Sequence, residues 1–250
     1  MLRVIPRLDI KGEYLVKTIY LEGLRKIGSP NQYAIKYYKD LADELFFLDI
    51  VATLYGRNNL HDIIFEASKN VFIPLTVGGG VRTVDDALKC LKCGADKIAI
   101  NTAATENPEL IKTLSQRLGS SSVVLSVAAK KISGDWFAFI RNGRENSGKK
   151  VKDWILEACS LGAGEVLVTS IDNEGTYKGI DIELQNEIAK LNIKQPITLS
   201  GGIGSANDII EIKKNINLSG ICIASLFHYE KISIKEIKKS LIKEKLDIRI

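Results

Sequence analysis

The chain has 250 residues, of which 45% are hydrophobic and 26% are charged, and its formal net charge is +5. These values suit one large globular domain and exclude a disordered chain or a disulfide-stabilised miniprotein. Charged residues interrupt the apolar N-terminal stretch and no run of about 18 apolar residues follows, so we predict neither a signal peptide nor a membrane span. The four cysteines suggest no disulfide framework, which favours the cytoplasm. The lysines are dispersed, so no nucleic-acid partner is expected.

Short apolar runs alternate with helical patterns along the whole chain, which is typical of a parallel sheet built from β-α-β units. Eight strands and eight helices indicate a closed (β/α)8 barrel of the TIM type, with a doubly wound open sheet as the alternative. The predicted strands are Arg3–Leu8, Glu44–Ile50, Pro74–Val77, Lys97–Ile100, Val123–Ala128, Glu165–Ser170, Ile197–Leu199 and Gly220–Ala224.

Two insertions interrupt this alternation. Lys11–Asn31 follows the first predicted strand, and Lys130–Lys150 follows the fifth. Within the second insertion, the apolar run Trp136–Ile140 and the turn residues Asn142-Gly143 predict a small β-hairpin. Loops that follow the strands build the active face of such barrels, so we expect both insertions on that face.

A strand-glycine-helix pattern occurs twice, about half a chain length apart. Ile73–Gly80 reads IPLTVGGG and Gln195–Gly202 reads QPITLSGG, and each is followed by Thr or Ser with an Asp three residues later. This spacing predicts a capped helix start, whose free backbone N–H groups and positive helix end would bind an anion. We therefore predict two half-barrels, roughly residues 1–121 and 122–250, that hold a ligand with two anionic groups. Tight turns without a ligand are the alternative.

The residues at the ends of the predicted strands and in the following loops give the lining of this face. Asp9 directly follows the first predicted strand, which makes it the candidate general acid and base, with an exposed loop carboxylate as the alternative. The other candidates are small or hydrogen-bonding residues that suit a phosphorylated ligand: Lys17, Asp49, Gly79, Gly80, Asn101, Thr102, Asp172, Gly175, Ser200, Gly201, Gly202, Ala224 and Ser225.

Other kinds of catalytic site find little support in the sequence. The two histidines, His61 and His228, have no metal-ligand spacing, and a Walker pattern is absent. No Ser or Cys has a recognisable His–acid relay. We therefore expect neither a metal nor another cofactor.

Seven motifs together resemble the cyclase subunit of imidazole glycerol phosphate synthase, from one end of the chain to the other. They are Val4–Lys11, Phe47–Ile50, Thr76–Gly80, Gly94–Ala104, Gly162–Glu165, Thr169–Asp172 and Ser200–Gly202. The resemblance implies a barrel that forms a heterodimer with a glutaminase docked at its N-terminal end. It also implies that glutamine-derived ammonia attacks a bisphosphorylated ribulosyl aminoimidazole-carboxamide nucleotide, whose two phosphates lie at the duplicated glycine turns. The products are imidazole glycerol phosphate and an aminoimidazole-carboxamide ribotide.

The resemblance further implies a charged gate for ammonia at the bottom of the barrel. The matching positions are Arg3, Glu44, Lys97 and Glu165. A purely structural plug is the alternative, because buried charges need partners. Asp96 matches a position that the family uses at the glutaminase interface.

Two departures from the family pattern affect the expected function. Ala128 occupies the position of a second catalytic aspartate, and the loss of such a group could cost about 10²–10⁴-fold in rate. The first insertion reads Val16-Lys17-Thr18 where the family usually has Val-Lys-Gly. This form resembles cyclase-like proteins associated with amidotransferases of surface-polysaccharide sugars.

Three hypotheses follow. The first is a cyclase-like subunit that conducts ammonia to a sugar amidotransferase for acetamidino formation on a surface-polysaccharide sugar. The second is a genuine imidazole glycerol phosphate synthase cyclase that acts through Asp9. The third is a non-catalytic protein that binds a phosphorylated ligand and activates its glutaminase.

Overall fold

The computed structural model describes residues 1–52, 60–215 and 218–249. The strands within these ranges are β1 (Arg3–Lys11), β2 (Tyr14–Ile19), β3 (Glu22–Gly28), β4 (Leu45–Asp49), β5 (Leu75–Gly78), β6 (Lys97–Ile100), β7 (Val123–Ile132), β8 (Asp135–Ile140), β9 (Glu145–Lys150), β10 (Glu165–Ser170), β11 (Ile197–Ser200) and β12 (Gly220–Ile223). The helices are α1 (Pro30–Lys39), α2 (Leu60–Ser68), α3 (Val84–Lys92), α4 (Thr102–Glu106), α5 (Glu109–Leu118), α6 (Val151–Ser160), α7 (Ile182–Ala189), α8 (Ala206–Asn215), α9 (Ser225–His228) and α10 (Ile234–Lys243).

Eight of these strands pair in parallel and close into a barrel. Their order is β1, β4, β5, β6, β7, β10, β11 and β12, and β12 then pairs with β1 through Arg3 and Gly220. The predicted (β/α)8 barrel is confirmed, and the open sheet is excluded. None of the described helices is long and apolar enough to cross a bilayer. The half-barrel duplication itself stays a prediction.

The two insertions form β-hairpins on the same face of the barrel. β1 continues beyond the barrel to pair with β2, and β7 continues to pair with β8. Both strands are therefore longer than predicted, and Asp9 lies within β1 rather than after it. The turn predicted at Asn142 and Gly143 is present, and both residues have positive φ angles of 58° and 79°.

The tips of the hairpins meet over the mouth of the barrel. Leu21 from the first hairpin packs with Phe139 from the second and with Ala128 and Ile171 from the barrel, and we call this group the mouth cluster. Gly143 approaches the first hairpin so closely that a Cβ atom there would lie 2.7 Å from a methyl group of Leu21. A side chain at this position would push the two hairpins apart.

Apolar side chains fill the space on both sides of the barrel wall. The larger cluster joins the strands to the helices, as expected for parallel strands that are buried on both faces. A smaller cluster, which we call the inner layer, lies inside the barrel and contains Ile5, Phe46, Ala99, Val124, Leu167 and Cys222. The inner layer lies between the two ends of the barrel. Groups at the C-terminal ends of the strands are therefore separated from groups at the N-terminal ends.

Candidate functional site

The two glycine turns lie at the same end of the barrel. Gly79 follows β5 and Gly201 follows β11, both at the C-terminal ends of parallel strands. A Cβ atom on Gly79 would lie 2.2 Å from the carbonyl oxygen of Asp49, and one on Gly201 would lie 2.6 Å from that of Ser170. Both glycines have φ near +100°. Each turn therefore requires glycine, and each brings backbone close to the neighbouring strand.

The helix that follows each turn has the predicted cap. The hydroxyl of Thr83 accepts a bond of 3.1 Å from the backbone N–H of Asp86, whose carboxylate accepts one of 3.1 Å in return. Ser205 and Asp208 repeat the exchange at 3.4 and 3.0 Å. Both capping predictions are confirmed, and the caps fix the two helix starts against their glycine turns.

The first glycine turn opens into a pocket of about 230 Å³, which we call the first pocket. Five of the predicted ligand-binding residues line it: Asp49, Gly79, Gly80, Asn101 and Thr102. The amide of Asn101 donates to the carbonyl oxygen of Phe139 at 3.0 Å, and the hydroxyl of Thr102 accepts from the backbone N–H of Arg141 at 3.0 Å. These two bonds fasten the second hairpin beside the pocket.

Asp49 is held by its own loop. Its carboxylate accepts bonds of 2.9 Å from the backbone N–H groups of Val51 and Ala52. Burial raises the pKa of Asp49 and outweighs these two bonds, which lower it. A carboxyl group with a raised pKa at a pocket wall is able to exchange protons closer to neutral pH than an exposed aspartate.

The second glycine turn faces a much smaller space of about 10 Å³, which we call the second pocket. The predicted residues that line it are Gly175, Ser200, Gly201, Gly202, Ala224 and Ser225. Such a volume admits about one water molecule. The carboxylate-bearing Glu174 also lines this pocket. In this conformation the second glycine turn is closed to a phosphate group.

Asp9 lies beneath the first pocket, where it is fully buried and contacts Arg7, a cation that the sequence alone did not predict at the site. Arg7 donates from Nε to Asp9 Oδ1 at 2.7 Å and from Nη1 to the hydroxyl of Thr169 at 3.2 Å. Arg7 itself is 3% exposed and lines the first pocket. The other carboxylate oxygen of Asp9 has no hydrogen-bond partner within the described residues. The alternative that Asp9 is an exposed loop carboxylate is thus excluded.

Lys17 is placed differently from the prediction of a phosphate ligand. Its side chain is 2% exposed and forms an ion pair with Glu174, while its ammonium nitrogen lies 4.0 Å from Asp9. We call Arg7, Asp9, Lys17 and Glu174 the buried quartet. Lys17 lies in β2, which crosses the mouth as part of the first hairpin, and its side chain points into the protein. Lys17 holds the hairpin down in this structure.

Asp172 is also turned away from both pockets. Its carboxylate accepts a bond of 2.9 Å from the backbone N–H of Lys131. Asp172 therefore supports the extension of β7 into the second hairpin. Ala128 is 9% exposed and packs within the mouth cluster while also lining the first pocket. This apolar surrounding suits an alanine and would penalise a buried charge.

At the opposite end of the barrel, four charged side chains form a closed ring of ion pairs, which we call the floor cluster. Arg3 contacts Glu44 at 2.6 Å and Glu165 at 2.5 Å, and Lys97 contacts the same two carboxylates at 3.0 and 2.8 Å. Burial raises the pKa of Glu165, but Arg3 and Lys97 more than offset it and leave the pKa below its ordinary value. The four predicted gate residues thus meet at one site.

Asp96 lies at the edge of this same end. It is exposed, and its carboxylate accepts a bond of 2.8 Å from the backbone N–H of Leu75 at the start of β5. Two other loops that precede barrel strands expose large apolar side chains. Leu41, before β4, is 44% exposed, and Phe72, before β5, is 75% exposed. Loops that precede parallel barrel strands all lie at the N-terminal end.

Arg7 and Glu174 belong to the site although the sequence alone did not predict either of them. The period of two along a strand places Arg3, Ile5, Arg7 and Asp9 on one face of β1. This alternation could have identified Arg7 as an inward-facing cation. Glu174 lies in the loop after β10, where no such periodicity applies. Within the described ranges, no group of three or more His, Cys, Asp or Glu side chains could hold a metal ion.

Fold and site together define a class: a closed (β/α)8 barrel with two glycine-lined pockets at its C-terminal face and an ionic floor at its N-terminal face. The chain belongs to the family described as "Histidine biosynthesis protein", whose model matches residues 3–233.

Several curated relatives are similar over most of the chain. A protein of Legionella pneumophila named imidazole glycerol phosphate synthase subunit HisF is 53% identical over 207 residues, which are 82% of this chain and 97% of the relative. Proteins of the same name from Streptococcus sanguinis and Natranaerobius thermophilus are 42% and 41% identical, each over 99% of this chain and 98% of the relative. These names favour the second of the three hypotheses over the first.

Proposed function

We propose that this chain is the ammonia-receiving cyclase subunit of a glutamine-dependent synthase, with the reaction of imidazole glycerol phosphate synthase as its activity. The observation that carries the proposal is the floor cluster, which lies at the opposite end of the barrel from the two glycine turns. Ammonia would enter at the floor and react at the mouth. The family and the names of the relatives support the assignment of the reaction.

The interior of the barrel suits the passage of a small neutral molecule. A cavity of about 10 Å³ lies above the floor cluster, between Glu44 and Glu165 on one side and Ile5 and Leu167 on the other. The inner layer follows, and its member Ala99 also lines the first pocket. Neutral ammonia crosses apolar surroundings at much lower cost than an ammonium ion does. An ionic floor above which the walls are apolar thus favours ammonia over charged solutes.

The end of the barrel that carries the floor cluster also has properties of a partner surface. Exposed Phe72 and Leu41 offer apolar area, and Asp96 offers a charge for orientation. Aromatic anchors with a polar rim are common at protein interfaces. The relatives are named as subunits, which supports a second chain in the functional complex. We assign this surface to a glutaminase that forms a heterodimer with the chain.

At the mouth, the glycine turns and Asp9 have distinct proposed roles. The first turn, with Asn101 and Thr102, would bind one phosphate of the ribulosyl nucleotide through backbone and side-chain donors. The second turn would bind the other phosphate once the first hairpin has moved, because the Lys17–Glu174 ion pair closes that pocket. The same movement would give the substrate access to Asp9, the proposed acid and base.

Turnover tests this proposal directly. The purified chain is incubated with the ribulosyl nucleotide and an ammonium salt, and formation of imidazole glycerol phosphate is measured. We expect turnover in the ordinary range of enzymes, about 1 s⁻¹ or more, and its loss in Asp9→Asn. An absence of product, with the nucleotide bound, would contradict the assignment of the reaction. If the unmodified chain formed no product, and both it and Asp9→Asn bound the nucleotide and activated a glutaminase equally, the activator hypothesis would replace it.

A second candidate function is supply of ammonia to a separate sugar amidotransferase. Two observations favour it: Arg7 is paired with Asp9, the proposed acid and base, and Ala128 offers no second acid at its position in β7. On this hypothesis the barrel conducts ammonia but does not convert the ribulosyl nucleotide. Glutamine-dependent amidation of a sugar nucleotide, without imidazole glycerol phosphate formation, would identify it.

A further inference from the structure

The base of the first pocket presents the guanidinium group of Arg7, whereas the sequence predicted the carboxylate of Asp9 on this face. Arg7 lines this pocket, whereas Asp9 lies behind it and contacts the Nε side of the guanidinium. A guanidinium has five N–H donors. Asp9 and Thr169 each accept one, and Nη2 makes no hydrogen bond within the described residues. Donors therefore remain available to a ligand.

The surroundings of Arg7 keep it charged and fixed in place. Burial lowers the pKa of Arg7, but the negative charges of Asp9 and Glu174 more than compensate and raise it above its ordinary value. The contacts with Asp9 and Thr169 fix the plane of the guanidinium across the barrel axis. A fixed, charged guanidinium in a pocket of limited water access binds a carboxylate or phosphate strongly, often through two parallel hydrogen bonds to two oxygens of the same group.

The rest of the pocket specifies the other end of such a ligand. The first glycine turn, with Asn101 and Thr102, lies at the rim, and Arg7 lies at the base near Ala128 and Thr169. Ala128 leaves this base free of a second carboxylate that would repel an anion. Asp49 lies at the wall, where its Oδ1 accepts both backbone N–H bonds from its own loop. The pocket volume of about 230 Å³ lies below the usual range for drug-sized ligands, so the ligand is small.

We propose that Arg7 is a ligand-binding and specificity-determining residue, and that the first pocket takes a small phosphorylated molecule with a second anionic group. The phosphate binds at the first glycine turn, and the second anionic group, a carboxylate, binds to Arg7. This proposal concerns the ligand of one pocket and does not depend on the passage of ammonia or on the cyclase reaction.

Calorimetric titration with a matched pair of probes tests the proposal. Glycerol 3-phosphate and 3-phosphoglycerate share a three-carbon skeleton and a phosphate, but only the second has a carboxylate. We expect the chain to bind 3-phosphoglycerate about tenfold or more tightly, because a hydrogen bond to a charged group contributes on this scale. Equal affinity for the two probes, or binding of neither at millimolar concentration, would overturn the proposal.

Variants at Arg7 locate the preference. Arg7→Met would leave Asp9 buried without its main partner, so Arg7→Met/Asp9→Asn is made beside it to preserve folding. In both we expect the preference for 3-phosphoglycerate to disappear while glycerol 3-phosphate still binds. The control is Arg141→Met, the same change at a half-exposed residue of the same pocket, which keeps the preference. A preference that survives in the double variant would overturn the proposal.

Discussion

The two glycine turns have nearly the same backbone but very different surroundings. The first opens into a pocket of about 230 Å³ with Arg7 at its base, whereas the second faces about 10 Å³ beside Glu174. The difference arises from the hairpins. Lys17 of the first hairpin pairs with Glu174, which lines the second pocket, while the second hairpin leaves a space beside the first turn. Two turns with nearly the same backbone conformation can therefore have different functions, because different side chains cover them.

The largest effect is expected at the ion pair that closes the second pocket. Lys17→Met should destabilise the fold by about 3–5 kcal/mol, because it leaves Glu174 buried without its partner. The double variant Lys17→Met/Glu174→Met should recover most of this loss, since no buried charge then remains unpaired at that site. Urea denaturation measures both values. A single variant as stable as the unmodified chain would show that the pair does not hold the hairpin.

Alanine at the two glycine turns should separate their roles. Gly79→Ala and Gly201→Ala should each cost about 2–4 kcal/mol, because both impose a positive φ angle and a close contact with a neighbouring carbonyl oxygen. Calorimetry should show that inorganic phosphate binding is lost in Gly79→Ala and kept in Gly201→Ala. The reverse pattern would mean that the second turn is the one that binds phosphate in the free protein.

The acid sensitivity of the fold should come partly from His228, which lies beside the second pocket. Its ring is 3% exposed, and Nδ1 lies 2.5 Å from the hydroxyl of Tyr37. Burial, followed by the charge of Lys17, lowers the pKa of His228 to about 3. Between its ordinary pKa of 6.5 and about 3, the unfolded chain binds a proton that the folded chain does not. The stability that His228 contributes is therefore complete above pH 6.5 and declines as the pH falls.

The decline should be about 1.4 kcal/mol for each pH unit below 6.5. The measurement is the free energy of unfolding against pH in the unmodified chain and in His228→Gln, because the carboxylates contribute to both and cancel in the difference. Parallel curves would show that folding leaves the pKa of His228 unchanged, which would contradict this account.

The smallest effect is expected at the rim of the first pocket. Arg141 is half-exposed and forms ion pairs with Glu106 and Glu145. Exposed pairs contribute about 1 kcal/mol or less, so Arg141→Met should weaken phosphate binding by about fivefold at most. A far larger loss in calorimetry would indicate that the rim, rather than the glycine turn, binds the anion.

The sequence was sufficient for features that depend on local or periodic patterns. The barrel followed from alternating apolar runs, and the helix cap at Thr83 followed from spacing alone. The charged floor was recognised through a family resemblance. The position of Lys17 was not predictable, because it depends on how a hairpin folds back over the mouth. Strand alternation could have placed Arg7 and Asp9 on one face of β1, but their separation into pocket wall and buried partner depends on packing in three dimensions.

Transfer of ammonia through the floor is the central claim, and one ratio tests it most directly. In the complex with the glutaminase, imidazole glycerol phosphate formed is measured against glutamate formed, for the unmodified chain, Lys97→Met, and the exposed control Lys112→Met. Loss of Lys97 leaves Glu44 and Glu165 to share Arg3, so the floor loosens. We predict that the ratio falls in Lys97→Met alone, while synthesis from added ammonium salt is unchanged. An unchanged ratio in Lys97→Met would contradict passage of ammonia through the floor cluster.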